Sequence, residues 1–142
     1  AVAILATPAE AGTQHAFSVK GVDDLSMWQV RKVTRALALA AKGIEWEGAM
    51  PQIVFTDGRE IGMPPRAMAR AVVYSSGREV IYIRRSVVRR ARFSRSLALH
   101  EFSHLQAWRE YGTDIEAHGV EYRSVCRRVA LAKDCQAEGY YR

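Results

Sequence analysis

His100-Glu101-Phe102-Ser103-His104, with His118 a short way downstream, constrains this chain more than any other stretch. Residues four apart share one face of an α-helix, so a helix through this stretch stacks the rings of His100 and His104. The two rings can then grip one metal ion from the same side. Glu101, beside the first of them, can reach a water on that ion. This is the H-E-x-x-H arrangement of metal-assisted peptide hydrolysis, with the glutamate as general base. Leu97, Leu99, Phe102, Leu105 and Trp108 surround the motif with apolar side chains. The helix is therefore expected to be largely buried. A buried neutral histidine needs a polar partner, and one cation serves both rings.

A catalytic zinc takes three protein ligands and keeps a fourth position open. The third cannot come from the next helical turn, which points elsewhere. Gly112 suits a helix end because it tolerates left-handed dihedrals. His118 follows at the expected start of another helix, where an antiparallel return carries it back over the first. Gly119 leaves room for close backbone approach. His118 is the expected third ligand, with Glu116 and Glu121 as fallbacks because some zinc sites use two histidines and a carboxylate.

His100-Glu101-Phe102-Ser103-His104-Leu105, Trp108 and Ala117-His118-Gly119-Val120-Glu121-Tyr122 resemble the core of the SprT-like metallopeptidases, which include Spartan. A basic, glycine-containing hairpin over residues 71–83, leading into the motif helix, resembles that family too. The likeness spans roughly residues 26–132, although only the two histidine motifs are specific. It implies a zinc ion (Zn2+) on His100, His104 and His118, with Glu101 as the catalytic glutamate. It also implies protein or peptide substrates, and for Spartan-type enzymes substrates bound to DNA. The cysteine-rich zinc ribbon of many bacterial members and the partner-binding tails of Spartan have no counterpart in this sequence.

The chain has 142 residues and 15.9 kDa, with 49% hydrophobic and 25% charged residues. That suits one globular domain with a single core. No apolar run approaches the roughly 20 residues a membrane-spanning helix needs. Residues 1–11 combine a short apolar run, Pro8 and an Ala-x-Ala ending at Ala11. They resemble the tail of a secretory signal peptide. They are set aside as a candidate remnant, leaving residues 12–142 as the domain; an edge strand or a frayed end is the other reading. An exported or periplasmic location is favoured on this ground, with a cytoplasmic, DNA-associated protein as the alternative. Cys126 and Cys135 pair if the chain reverses near Asp134. Cys126 is read first as a small buried residue, because a helix running straight through both positions would hold them about 13 Å apart.

The net charge is +6, and Arg84, Arg85, Arg89, Arg90, Arg92 and Arg95 crowd just before the motif helix. Such a patch suits DNA or another polyanion. With only Tyr82 and Phe93 nearby, base stacking is weakly signalled. The bland reading is a solvated face with ion pairs.

Elsewhere, Ser26 with Gln29 forms a capping box, and Leu25 with Val30 a hydrophobic staple, for a helix over 26–42 with Gly43 as its stop. Met27 and Trp28 read as packing residues. Residues 52–56 read as a strand ended by Asp57-Gly58. Residues 69–74 and 79–84 read as a hairpin through Ser75-Ser76-Gly77. A short helix is expected over 86–91. Ser94 caps the motif helix over 95–111, with Phe93 and Ala98 as a weak staple. A last helix is expected over 119–133, with Tyr122, Val125, Cys126 and Val129 on one stripe. The fold expected is α+β: a small zincin-like domain whose mostly antiparallel sheet packs on the H-E-x-x-H helix. Either hairpin strand is a candidate edge for holding an extended substrate. Tyr74, Tyr111, Tyr122 and nearby arginines are candidate oxyanion donors. The reading that follows is a zinc-dependent endopeptidase; the alternative is a basic DNA- or polyanion-binding module with a structural zinc.

Overall fold

The computed structural model describes residues 2–6, 16–130 and 135. The elements are β1 (Val2–Ala6), β2 (Ala16–Lys20), α1 (Met27–Gly43), β3 (Gln52–Thr56), β4 (Ala69–Val73), β5 (Glu79–Arg84), α2 (Arg85–Arg89), α3 (Arg95–Tyr111) and α4 (Val120–Cys126). The strands form one sheet in the order β1-β2-β3-β5-β4. β1 is antiparallel to β2 and β4 to β5, while β2 is parallel to β3 and β3 to β5.

The class is α+β, but the sheet is mixed rather than mostly antiparallel. α1 causes the difference. It carries the chain from the end of β2 back to the start of β3, so the two strands run the same way. Only the β4–β5 hairpin reverses direction on that side of the sheet. Val2–Ala6, set aside in the sequence as a candidate signal remnant, forms the edge strand β1 beside β2; residues 7–15 lie outside the described residues.

α1 begins as expected. The Ser26 hydroxyl accepts from the Gln29 N–H at 3.1 Å, and the Gln29 side chain accepts from the Ser26 N–H at 2.9 Å. Gly43 does not supply the left-handed stop; the helix includes it, and Glu45 takes φ 58° instead. α3 runs over the expected residues, capped by Ser94, whose hydroxyl accepts from the Leu97 N–H at 3.0 Å. Gly112 closes it at φ 86°, a left-handed value that favours glycine.

α1 and α3 lie side by side over one face of the sheet. Phe17, Val19, Ile53, Phe55, Ile81 and Ile83 meet Val33, Leu37, Ala41, Leu97, Phe102 and Leu105 in the main core. Val80 and Tyr82 point from β5 to the opposite face, where Met63 and Ala67 cover them. β5 is thus buried on both faces, which explains its unbroken apolar run Val80-Ile81-Tyr82-Ile83.

A third cluster joins Ala107 of α3 to Tyr122, Val125 and Cys126 of α4 and to Cys135. α4 stops at Cys126 rather than continuing to residue 133, so the spacing of a straight helix does not apply. Cys126 and Cys135 form a disulfide with their Cα atoms 5.8 Å apart. Reading Cys126 simply as a small buried residue is corrected by this turn of the chain; residues 131–134 lie outside the described residues. Among the described residues no helix is long and apolar enough to cross a membrane.

Candidate metal centre and its cleft

α3 carries His100 and His104 one turn apart on its buried side. The loop after Gly112 and the first turn of α4 bring His118 back over them. Gly119 leaves room at this return, where a Cβ would sit tightly, 3.0 Å from the Cβ of Glu116. The three Nε2 atoms converge. The distances are 3.2 Å between His100 and His104, 3.0 Å between His104 and His118, and 3.2 Å between His118 and His100. Tetrahedral coordination by imidazole at roughly 2.05 Å from zinc puts ligand nitrogens about 3.3 Å apart. The triangle therefore fits one small cation. Three nitrogen lone pairs aimed at one point repel one another unless positive charge lies among them, so the chemistry of this donor set suits a metal ion. Among the described residues this is the group of His, Cys, Asp and Glu side chains arranged to hold an ion. Glu116 and Glu121, the fallback ligands, are not part of it.

Burial sets the protonation state. Desolvation holds the His100 ring far below its ordinary value, at about 3, with the His118 charge adding to the effect. Desolvation, then His100 and His118, pushes His104 down as well, and burial lowers His118. All three rings are thus neutral at neutral pH, the form that ligates metal. Tyr122 fixes the first ring: its hydroxyl lies 2.8 Å from His100 Nδ1, leaving Nε2 for the metal. His104 is held between two rings, Trp108 at 5.5 Å and Tyr122 at 4.4 Å between centroids, both nearly parallel to it. Its Nδ1 is buried without a hydrogen-bond partner among the described residues. Tyr122 reads in the sequence as an apolar-stripe residue and a candidate oxyanion donor. Its hydroxyl serves His100 instead. The spacing His118-x3-Tyr122, one helical turn, is the signal that places it there.

Glu101 is buried beside the histidines. Burial drives its carboxyl up to about 8 in the metal-free protein, against the opposing pull of a hydrogen bond from the Ala71 backbone N–H. That bond identifies the cleft wall. Tyr74 N–H bonds Arg78 C=O and Arg84 N–H bonds Met68 C=O. In antiparallel alternation the even-numbered residues of β4 therefore bond to β5, and Ala69, Ala71 and Val73 turn their backbone groups outward. β4, the first hairpin strand, is a sheet edge. A cavity of about 270 Å³ runs beside it, bounded by Arg70–Val73, Trp108, Thr113 and Ala117.

The six clustered arginines separate into two groups. Arg84 donates to the carbonyls of Ala67 at 2.9 Å, Asp57 at 2.6 Å and Pro64 at 2.9 Å, tying the loop before β4 to the end of β5. Arg85 bonds the Gly21 carbonyl at 3.2 Å and pairs with Asp57 at 3.3 Å, and Arg89 pairs with Asp24 at 3.8 Å. Arg90, Arg92 and Arg95 reach solvent without such side-chain partners among the described residues. Tyr74 is bonded to the Tyr82 hydroxyl, and Tyr111 is exposed.

No family model, curated protein or solved structure matches this chain.

Proposed function

We propose that this protein is a zinc-dependent endopeptidase of the SprT-like kind. The observation that carries the reading is the triangle of Nε2 atoms 3.0–3.2 Å apart with Glu101 adjoining it. His100, His104 and His118 would hold the ion. No fourth donor joins them among the described residues, which suits a catalytic site with an open position better than a closed structural one. A bound zinc supplies Lewis acidity, lowering the pKa of water and stabilising negative charge on a carbonyl oxygen. Glu101 takes the proton of the attacking water and passes it to the leaving amine. The outward backbone groups of β4 other than the Ala71 N–H, which Glu101 holds, receive the substrate as an added strand, and the cavity beside it accommodates side chains. The buried carboxylate speaks against the structural-zinc, polyanion-binding alternative, since such a module has no use for a base that costs so much to bury.

The Cys126–Cys135 disulfide favours an oxidising compartment. Mapping the N-terminus of the protein from its native cell tests this: a start at Gly12 supports export, whereas retention of residues 2–6 as a working β1 argues against cleavage there.

The activity is tested by metal analysis and by casein or histone cleavage, with and without chelator and DNA. Zinc near one per chain and chelator-sensitive cleavage are expected. A protein that binds zinc and DNA yet cleaves nothing would favour the binding module.

A further inference from the structure

A second cavity, of about 300 Å³, opens at the N-terminal end of β4, and Arg66, Met68, Arg84, Ser86, Arg90 and Arg92 contribute to its wall. Among the described residues no acidic side chain lines it. Arg84 is spent on three backbone carbonyls and serves as its rigid floor. Arg66, Arg90 and Arg92 make no ion pair among the described residues. The neighbouring Arg85 and Arg89, by contrast, are answered by Asp57 and Asp24. Three guanidinium forks around a concave space, with no internal counter-charge, make an anion receptor, since planar forks match carboxylate and phosphate oxygens in bidentate fashion.

The position of the cavity narrows the ligand. Met68 immediately precedes β4, and Arg92 lies just before α3, so the cavity sits at one end of the cleft that these two elements form. Ala71, which bonds Glu101, is three residues along the strand from Met68. At about 3.4 Å per residue the cavity is roughly 10 Å from the reacting centre, measured along an added strand. An extended polypeptide on the outer edge of β4 reaches it with a side chain. A duplex does not enter a hollow of this size.

We propose that this arginine-lined cavity is a specificity subsite that binds an acidic side chain of the polypeptide substrate, about three residues to one side of the cleaved bond. The inference deepens the peptidase reading and rests on it for the word substrate. Its test therefore reads binding separately from cleavage.

Zinc-loaded Glu101→Gln protein is titrated against a fluorescent peptide carrying two adjacent glutamates, its glutamine counterpart, and a labelled single-stranded oligonucleotide. Inorganic phosphate serves as competitor. The same titrations use Glu101→Gln carrying Arg90→Gln and Arg92→Gln; these exposed arginines make no ion pair among the described residues. The glutamate peptide should bind at least tenfold tighter than the glutamine peptide, and the preference should vanish in the arginine variant. A cleavage profile of wild type on a mixed peptide library should then show acidic residues enriched on one side only, with neutral peptides cut equally by wild type and by the arginine double variant. Equal affinity for both peptides overturns the subsite. So does a loss in the arginine variant confined to the oligonucleotide or to phosphate. Tight, arginine-dependent binding of the glutamate peptide without any cleavage upholds the acidic-peptide pocket and defeats the peptidase reading instead.

Discussion

α1 and α3 invite comparison because they match in length, capping residue and placement but differ in what they bury. Each has 17 residues, each is capped by a serine hydroxyl on its third N–H, and both lie on the same face of the sheet. α1 buries Val30, Val33, Leu37, Ala38, Ala40 and Ala41, with Thr34 the lone polar exception. α3 buries Leu97, Ala98, Phe102, Leu105 and Ala107 toward its neighbours, but also His100, Glu101, Ser103 and His104. Removal from water is sufficient to hold α1. On α3 the same burial is costly unless each polar group finds a partner. Tyr122 serves His100 and Ala71 serves Glu101, the three rings are close enough to share one cation, and the Ser103 hydroxyl is left without a partner among the described residues. One helix is held by the core alone; the other is half core and half site, and its second half depends on groups brought from β4 and α4.

The largest effect is expected where the site half carries chemistry rather than stability. Glu101→Gln removes the base while keeping size and polarity, and should lower peptide hydrolysis by about 10²–10⁴-fold. Metal content should stay unchanged, because Glu101 is not one of the converging donors. Turnover at the wild-type rate in a metal-loaded variant would remove Glu101 from the reaction.

Next come two treatments that should separate the helices. Leu37→Ala empties a fully buried position of α1 and should cost about 2–5 kcal/mol, equally with and without metal. Stripping metal from the wild type acts only on the site half. If free zinc stands about a thousandfold above its dissociation constant, removal costs about 4 kcal/mol. In a domain of this size that lowers the unfolding midpoint by roughly 10 °C. Calorimetry of the two proteins, each with and without chelator, reads both losses. A midpoint indifferent to chelation would mean that the buried histidines are satisfied without a cation, and the contrast between the helices would collapse.

Tyr122→Phe sharpens the dependence on α4. The ring still fills its buried place and still stacks on His104, but the hydroxyl on His100 Nδ1 is gone. Loss of such an orienting partner should weaken metal affinity by about 10–100-fold, measured by competition with a chromophoric chelator. Unchanged affinity would reduce Tyr122 to a packing residue.

The metal-free protein should also have an unusual stability profile, with two opposed contributions. The buried histidines are neutral in the fold, His100 down to about 3, whereas the unfolded chain takes up protons below its ordinary histidine value near 6.5. Their share of stability is fully present above about pH 6.5 and is lost as pH falls toward 3. Glu101 acts in the other direction. It stays protonated in the fold up to about 8 and ionises from about 4.5 in the unfolded chain, so stability drains as pH rises between those values. Several histidines outweigh one carboxyl below 6.5, and the carboxyl acts alone above it. Metal-free protein should therefore be most stable near pH 6.5 and decline by up to about 1.4 kcal/mol per unit toward pH 8. Restored metal should abolish that decline. Denaturant midpoints across the range, with and without zinc, decide it; a metal-free profile that climbs steadily to pH 8 would show that Glu101 ionises freely in the fold.

Why some of this was legible in the sequence follows from the same contrast. Periodicity and caps are local, so α1, β3, the hairpin strands and α3 could be read within a residue or so. The convergence of the three histidines was legible because a four-residue spacing is a geometric statement about one helix, and Gly112 marks the end from which the chain returns His118. What failed was non-local. Ala16–Lys20 is a five-residue strand whose parallel partner β3 lies beyond the whole of α1, and without it the β2-α1-β3 unit and its parallel pairing could not be seen. The short α4 ends at Cys126, where no glycine or proline marks a stop, so the disulfide could be read only as one of two alternatives. Arg84 and Arg85 looked like free surface charge because the carbonyls they hold lie 17 to 64 residues away.

The smallest expected effect tests whether the helices are alike where they look alike. Ser26→Ala and Ser94→Ala each remove one capping acceptor and should each cost about 1 kcal/mol. Ser26 should cost slightly more, because Gln29 answers it in a reciprocal box, whereas Leu97 at the matching place in α3 cannot. Neither change should alter zinc affinity, since Ser94 precedes His100 by more than a helical turn and the ring positions are set by Tyr122, Trp108 and the core. Denaturant unfolding gives the first quantity and chelator competition the second. A Ser94→Ala protein that loses zinc affinity out of proportion to its stability would mean that fraying at the first turn reaches the donors. The division of α3 into a core half and a site half would then have to give way to one cooperative unit.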